Sequence, residues 1–360
     1  MKTHIEKIAL VIVSTVLSLA LAEYLVAPLV LSIRGQLSRS YVLLSVAAKP
    51  NVLVDDTIIN SQGFTGDVLS EQKPSHTNRI LTLGGSVMFN RRMTERLGLS
   101  LKRITSIPLE IQGGALRAHT SQDSLIKYKF HFHSFNFNYV LIYEGINDLW
   151  MNHISPDRFE ADYSHARPWY RRNIVLNNSV VARYLYNDFL WSRPTCDFEN
   201  LFSGRNSYLR GGPLPSCHNG ASFRAYDSFS RNVKYLIDLI RADHGVPILI
   251  TFAFNVPPNY SRQAFQADEL GYVNPTHYDK WPVELWGAPS YVKEGVREQN
   301  RIIRRIASEE RVLFIDMDKQ VSGTIRMFGD PVHPNEEGVE EFVKIITNFF
   351  ASNGLLATNE

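Results

Sequence analysis

The sequence predicts an α/β protein: an open parallel sheet with helices on both sides, preceded by an N-terminal transmembrane helix. Three observations predict it. Five short, largely apolar runs, at residues 80–83, 109–112, 139–143, 247–254 and 312–316, have the length and composition of strands buried on both faces of a parallel sheet. Helical patterns alternate with the later runs, and strands alternating with helices specify parallel strands joined by crossovers. Residues 8–33 carry a single charge, Glu23, and a single proline, Pro28, and are long enough to cross a bilayer.

Taken in order, residues 1–33 form the membrane anchor. Ala20-Leu21-Ala22 has the small-x-small form of a signal-peptide cleavage site, yet the apolar run continues for ten residues past Glu23, which favours an uncleaved anchor. Lys2 and Lys7 precede the span while Arg34, Arg39 and Lys49 follow it, so charge alone leaves its orientation open. The only cysteines, Cys196 and Cys217, lie in one loop-like region containing Gly, Pro and Ser. Bonded, they would close a loop and place the body of the protein in an oxidising, extracytoplasmic compartment; unbonded, they carry no such signal. Residues 34–75 read as a lead-in linker with little periodicity.

The folded domain is expected over residues 76–352, with an insertion at about 150–222 that lacks sheet signals. Phe223, Tyr226, Phe229, Val233, Leu236, Ile237 and Ile240 form an apolar stripe at helical spacing. Residues 292–308 and 336–350 repeat the pattern, the last with Val339, Phe342, Val343, Ile346 and Phe349 on one face. With 44% hydrophobic and 21% charged residues, the 360-residue chain has the composition of a folded globular protein. A formal net charge of +2 gives no broad electrostatic footprint for nucleic acid, which argues against such a partner.

Ligands of such sheets bind beyond the carboxyl ends of the strands, so the chemistry is sought there. The first exit delivers Gly84-Gly85-Ser86, the second "GGALRAHTSQ", and the third Gly145-Ile146-Asn147-Asp148. The fifth leads to Asp330-Pro331-Val332-His333. A serine, an asparagine and an Asp-x-x-His delivered to one sheet edge are parts for acyl transfer. A serine hydroxyl is a weak nucleophile until a base takes its proton, and the near-neutral imidazole of His333 suits that role. Asp330, three residues earlier, can fix the tautomer of His333 and stabilise its imidazolium. The Asn147 carboxamide and the N–H groups of Ser86 and Ala118 are the candidate oxyanion donors. Each part also has a plainer reading: Ser86 as a helix N-cap, Asn147-Asp148 as a turn pair, and Asn335 as the cap of the last helix. Their joint occurrence at successive exits favours the catalytic reading.

These blocks resemble those of the SGNH/GDSL hydrolases over roughly residues 60–350. Gly84-Gly85-Ser86 is similar to the nucleophile block, Gly145-Ile146-Asn147-Asp148 matches G-x-N-D, and Asp330-Pro331-Val332-His333 matches D-x-x-H; Asn60-Ser61-Gln62-Gly63-Phe64 looks like the lead-in of membrane-anchored bacterial members. The resemblance implies a three-layer α/β/α sandwich of flavodoxin-like form and no metal or organic cofactor. Two positions depart from the pattern: Gly85 stands where the family name has Asp, and Ala118 where the oxyanion-hole glycine is expected. Alanine keeps the N–H donor at negative φ, whereas a positive φ would strain it.

The expected activity is hydrolysis of O-acyl, in particular O-acetyl, esters through a Ser86 acyl-enzyme. Trp150, Trp169, Tyr170, Arg171, Arg172 and Trp191 in the insertion, with Trp281 and Trp286 beyond it, suit an acylated cell-envelope glycan, or else build an aromatic subcore. Two alternatives use the same fold: an O-acyltransferase with the same triad, and a non-catalytic envelope-binding module. The expected location is the bacterial inner membrane, single-pass, with the catalytic domain outside the cytoplasm.

Overall fold

The structure is a computed structural model that describes residues 2–26, 50–54, 56–153, 159–165, 223–273 and 280–356. Two compact units divide the chain: Met1–Ser45 with Ser164–Pro194, and Val46–Tyr163 with Thr195–Glu360. In the first, helix α1 (Lys2–Leu21) runs into a π-helical turn at Ala22–Val26. The segment Glu6–Leu25, which runs from α1 into that turn, is 20 residues long with a mean hydropathy of 2.2, long and apolar enough to cross a membrane. Its large apolar side chains from Leu10 to Leu21, Val16 and Leu17 among them, are exposed.

The second unit holds the sheet. A two-residue hairpin, β1 (Leu53–Val54) with β2 (Thr57–Ile58), precedes a six-stranded sheet of order β3-β5-β4-β6-β7-β8. Its strands are β3 (Thr65–Gly66), β4 (Asn78–Gly84), β5 (Leu109–Gly113), β6 (Tyr139–Tyr143), β7 (Val246–Ile250) and β8 (Leu313–Ile315). Strands β4 to β8 pair in parallel, as the apolar runs predict, and only β3 is antiparallel, at the edge beside β5.

Beside these strands run helices α2 (Ser86–Phe89), α3 (Met93–Lys102), α4 (Ser121–Lys127), α5 (Ala225–Ala242), α6 (Pro289–Glu309), α7 (Met317–Val321) and α8 (Glu336–Ser352). Alternation along the strands sends side chains to two helical layers. Leu81, Leu83, Val140, Ile142 and Leu249 pack with Phe229, Val233, Leu236 and Ile240 of α5 and Ile302, Ile303 and Ile306 of α6. On the other face Tyr139 meets Phe350 edge-on at 5.3 Å and Tyr143 meets Phe342 at 5.9 Å, with α8 packed along α3. Each such side chain taken from water contributes about 1.5–3 kcal/mol. The result is the three-layer α/β/α sandwich that the resemblance implies.

The domain begins earlier than the expected boundary at residue 76. Ile59, Phe64 and Leu69 of the expected linker are buried, and Phe64 packs on Phe132 at 4.6 Å. The backbone there is satisfied by side chains: Asn60 Oδ1 accepts from the Gln62 and Phe64 N–H groups, and Gln62 bridges both backbone groups of Leu69. Such local bonding leaves no periodicity to read.

Strand order positions the site. β4, which ends at the nucleophile block, lies between β5 and β6, so the loops carrying Ala118 and Asn147 leave on either side of Ser86. The register sets Gly84 opposite Tyr143. The Asp330–His333 segment follows edge strand β8 and returns across the sheet end through α7 and a 3₁₀ turn at Ile325–Met327.

Candidate active site

β4 gives way to α2 through two glycines, each with its own physical reason. Gly84 has φ +151°, and a Cβ there would lie 2.5 Å from the Tyr143 carbonyl oxygen. Gly85 has an ordinary φ of −91°, but a Cβ would lie 2.6 Å from Asn147 Nδ2. The carboxamide of the third block occupies the space that a side chain at 85 would need, which accounts for glycine at this departure from the family pattern. The N-cap position of α2 is Gly85, so Ser86 is the first helical residue and not the cap. Its N–H, like the first N–H groups of any helix, has no acceptor within the helix.

The Ser86 hydroxyl instead meets His333, with Oγ 2.8 Å from Nε2. On the far side of the ring, His333 Nδ1 lies 2.8 Å and 3.0 Å from the two oxygens of Asp330, whose side chain is 1% exposed. Asp330 Oδ1 also accepts the N–H groups of Val332 and His333, each at 2.9 Å, and Oδ2 accepts that of Trp281 at 3.2 Å. A carboxylate so held makes Nδ1 the donor, which leaves Nε2 to accept the serine proton. The Phe328–Pro334 bridge closes this loop, and Asn335 caps α8 as expected, its Oδ1 accepting from the Gly338 N–H at 3.0 Å.

An ion pair joins the two halves. Glu336, at the start of α8, meets Arg91 at 3.1 Å and Arg96 at 2.6 Å, both from the segment that follows Ser86. This pairing across 245 and 240 residues ties the serine and histidine loops together.

Asn147 is buried in a 3₁₀ turn at Ile146–Asn152, with Nδ2 donating to the His119 carbonyl at 2.9 Å and Oδ1 accepting from Trp286 Nε1 at 3.3 Å. These bonds fix the amide orientation and, among the described residues, leave its second N–H uncommitted beside Gly85. Trp286 stacks on Trp150 at 5.5 Å, lies 6.3 Å from the His333 ring, and is buried like Trp150, so this aromatic pair builds a wall behind the site. Ala118, on the loop beside His119, has φ +62°. The strained alternative therefore applies, at a cost of about 1–2 kcal/mol for a residue with a Cβ.

The partner of Asn147 in the motif, Asp148, lies in the same turn, its N–H donating to the Gly145 carbonyl at 2.9 Å, but its side chain is fully buried. Its Oδ2 accepts the Ser121 N–H at 3.0 Å, and its Oδ1 accepts the Ser121 and Tyr163 hydroxyls at 2.5 Å and 2.9 Å. Burial raises its pKa to about 6, against these stabilising bonds. Glu144 behind it is pushed well above the usual carboxylate range by burial and by the Asp148 charge. Burial brings Lys127 down to about 7; its ammonium donates to the Gly114 carbonyl. Asp148, Ser121, Glu144, Lys127 and the Trp286 N–H have no assignment from sequence, because contacts 13 or more residues apart give no local pattern. Of these, Asp148 lies in the G-x-N-D block and Ser121 in the second-exit stretch "GGALRAHTSQ".

Thus Ser86, His333 and Asp330 are brought together in one hydrogen-bonded line, Asn147 is brought beside them, and Ala118 sits on the adjoining loop. Cys196, Cys217, Trp169, Tyr170, Arg171, Arg172 and Trp191 lie outside the described residues. The arrangement can pass a proton from a serine hydroxyl to an imidazole.

No protein-family model and no curated protein matches the chain. Solved structures do. It is similar to an acetylxylan esterase from Geobacillus stearothermophilus, at 12% identity over 76% of this chain and 93% of that one, with a TM-score of 0.43. It is also similar to a GDSL-like lipase from Bacteroides thetaiotaomicron (12% identity, 79% and 93% covered, TM-score 0.40). A third is a lipase/acylhydrolase from Enterococcus faecalis (13% identity, 77% and 96% covered, TM-score 0.41). The likeness is one of fold alone.

Proposed function

We propose that the protein is a serine ester hydrolase of the SGNH/GDSL type. The observation that carries this reading is the continuous line from Ser86 Oγ through the His333 ring to Asp330. Ser86 Oγ attacks the ester carbonyl while His333 Nε2 takes its proton; the imidazolium then returns that proton to the departing alcohol oxygen. Water, deprotonated by the same ring, attacks the acyl-enzyme, and the imidazolium returns that proton to the departing Ser86 Oγ as the acid is released. Asp330 holds the tautomer and the charge. The uncommitted N–H of Asn147 and the N–H groups of Ser86 and Ala118 face the oxyanion in this reading, and each is worth about 3–4 kcal/mol of barrier.

Asp330→Asn is expected to lower kcat for p-nitrophenyl acetate about 10⁴-fold, because the amide stabilises the wrong tautomer. The measurement uses the full-length protein in detergent. A loss of less than tenfold would refute the role of Asp330.

The substrate in this reading is an O-acyl, in particular O-acetyl, ester on a cell-envelope glycan, approached at the membrane that α1 crosses, with the domain on its outer side. The length and hydropathy of α1 support the anchor, and the aromatic and arginine content of residues 150–222 supports the glycan. A reporter fused after Glu360 is expected to be active outside the cytoplasm; activity confined to the cytoplasm would overturn the placement.

A further inference from the structure

Asn147 and Asp148, consecutive residues after β6, hold both ends of one tripeptide on the neighbouring loop. Asn147 Nδ2 holds the His119 carbonyl at 2.9 Å, and the Asp148 carboxylate holds the N–H and the hydroxyl of Ser121. Asn232 Nδ2 braces the same hydroxyl at 3.0 Å. Between these grips, Thr120 and Asp123 form a reciprocal capping box that starts α4. Just outside them sits Ala118 at φ +62°, the conformation its Cβ resists. A strained residue persists only where its surroundings over-determine it. The Ser121 end of the loop is fastened by a buried, charge-assisted pair of bonds, the strongest class available to neutral donors.

We propose that Asp148 is a positioning residue of the oxyanion pocket: by gripping Ser121 it holds the 118–121 loop against Asn147 and keeps Ala118 in the left-handed conformation that its own side chain opposes. This rests on the esterase reading for its effect on rate, but the grip itself is a property of the loop. Asp148→Asn places an amide NH2 or a weaker neutral acceptor before the Ser121 N–H and hydroxyl. With the grip weakened, the strain at Ala118 is free to relax by turning its peptide away, whereas glycine carries no such strain and has no reason to turn.

The test is a double-mutant cycle on the full-length protein, read by p-nitrophenyl acetate kinetics and by hydrogen exchange of residues 116–121. Asp148→Asn alone is expected to lower kcat about 10- to 100-fold with KM within about twofold, since only transition-state contacts are displaced. In the Ala118→Gly background the same substitution is expected to cost roughly five- to tenfold less, the strain having been removed. Exchange in 116–121 is expected to rise about tenfold in Asp148→Asn and to fall back when Ala118→Gly is added. Equal losses of kcat in the two backgrounds, or unchanged exchange in Asp148→Asn, would overturn the proposal. If the parent protein turns over no ester, the esterase reading fails while hydrogen exchange still decides the grip. Should Asp148→Asn fail to fold, Ser121→Ala, which removes one of the gripped donors, takes its place, with a loss of about fivefold that Ala118→Gly again reduces.

Discussion

Ser86→Ala is expected to lower kcat for ester hydrolysis on the order of 10⁴- to 10⁶-fold, leaving only the rate that binding and oxyanion contacts support. The methyl group fills nearly the same space, so the fold should be untouched: Ser86 is the first residue of α2 and does not cap it, and its hydroxyl bonds to the His333 ring. KM is expected to stay within a few-fold of the parent, because the lost contact acts on the reacting atom. His333→Ala should fall to a similar level, and the double variant no further, since the two act as one unit. Turnover of Ser86→Ala within tenfold of the parent would remove the serine from the mechanism.

The second large effect is expected at Gly85. An added Cβ would meet Asn147 Nδ2 at 2.6 Å, and that amide has nowhere to go, being buried and bonded both to His119 and to Trp286. Either α2 shifts with its serine or the carboxamide turns away from it. Both damage the same transition state, so Gly85→Ala is expected to lower kcat about 10²- to 10³-fold, the cost of one oxyanion donor. Overpacking also costs about 1–3 kcal/mol of stability, readable as a lower urea midpoint. Gly85→Asp, which restores the residue of the family name, should be worse, because it sets a larger, charged side chain against the same buried amide. Unchanged kcat in Gly85→Ala would mean that Asn147 plays no part in the chemistry.

Much of this framework is legible along the chain, for physical reasons that differ from element to element. Strands β4, β5 and β6 are buried on both faces and read as plain apolar runs, while α5, α6 and α8 bury one stripe and read at helical spacing. The serine, asparagine and Asp-x-x-His are legible because parallel topology sends every strand exit to one edge, so order along the chain becomes proximity in space. β3 is not legible, since two residues carry no period, and the folded stretch before it is held by the Asn60 and Gln62 side chains. Nor is the positive φ of Ala118: no glycine or asparagine marks it, and beside the local turn closed by the His119 N–H on the Leu116 carbonyl, its loop is gripped by Asn147 and by Asp148, 27 residues from its partner Ser121. The Glu336 clamp on Arg91 and Arg96 escapes notice for the same reason. Trp286, readable as a sugar platform or as core, is buried against Trp150. Burial is a property of the neighbours, and no single segment encodes it.

The central claim is that His333 activates Ser86 as a nucleophile. It is tested most directly by treating the full-length protein with a fluorophosphonate and mapping the adduct by peptide mass spectrometry, in the parent and in His333→Ala. One adduct on the peptide containing Ser86, formed in the parent and slowed at least a thousandfold in His333→Ala, is the predicted result, the histidine being the base that makes the hydroxyl reactive. Labelling on another residue, or labelling of Ser86 at the same rate without the imidazole, would contradict it.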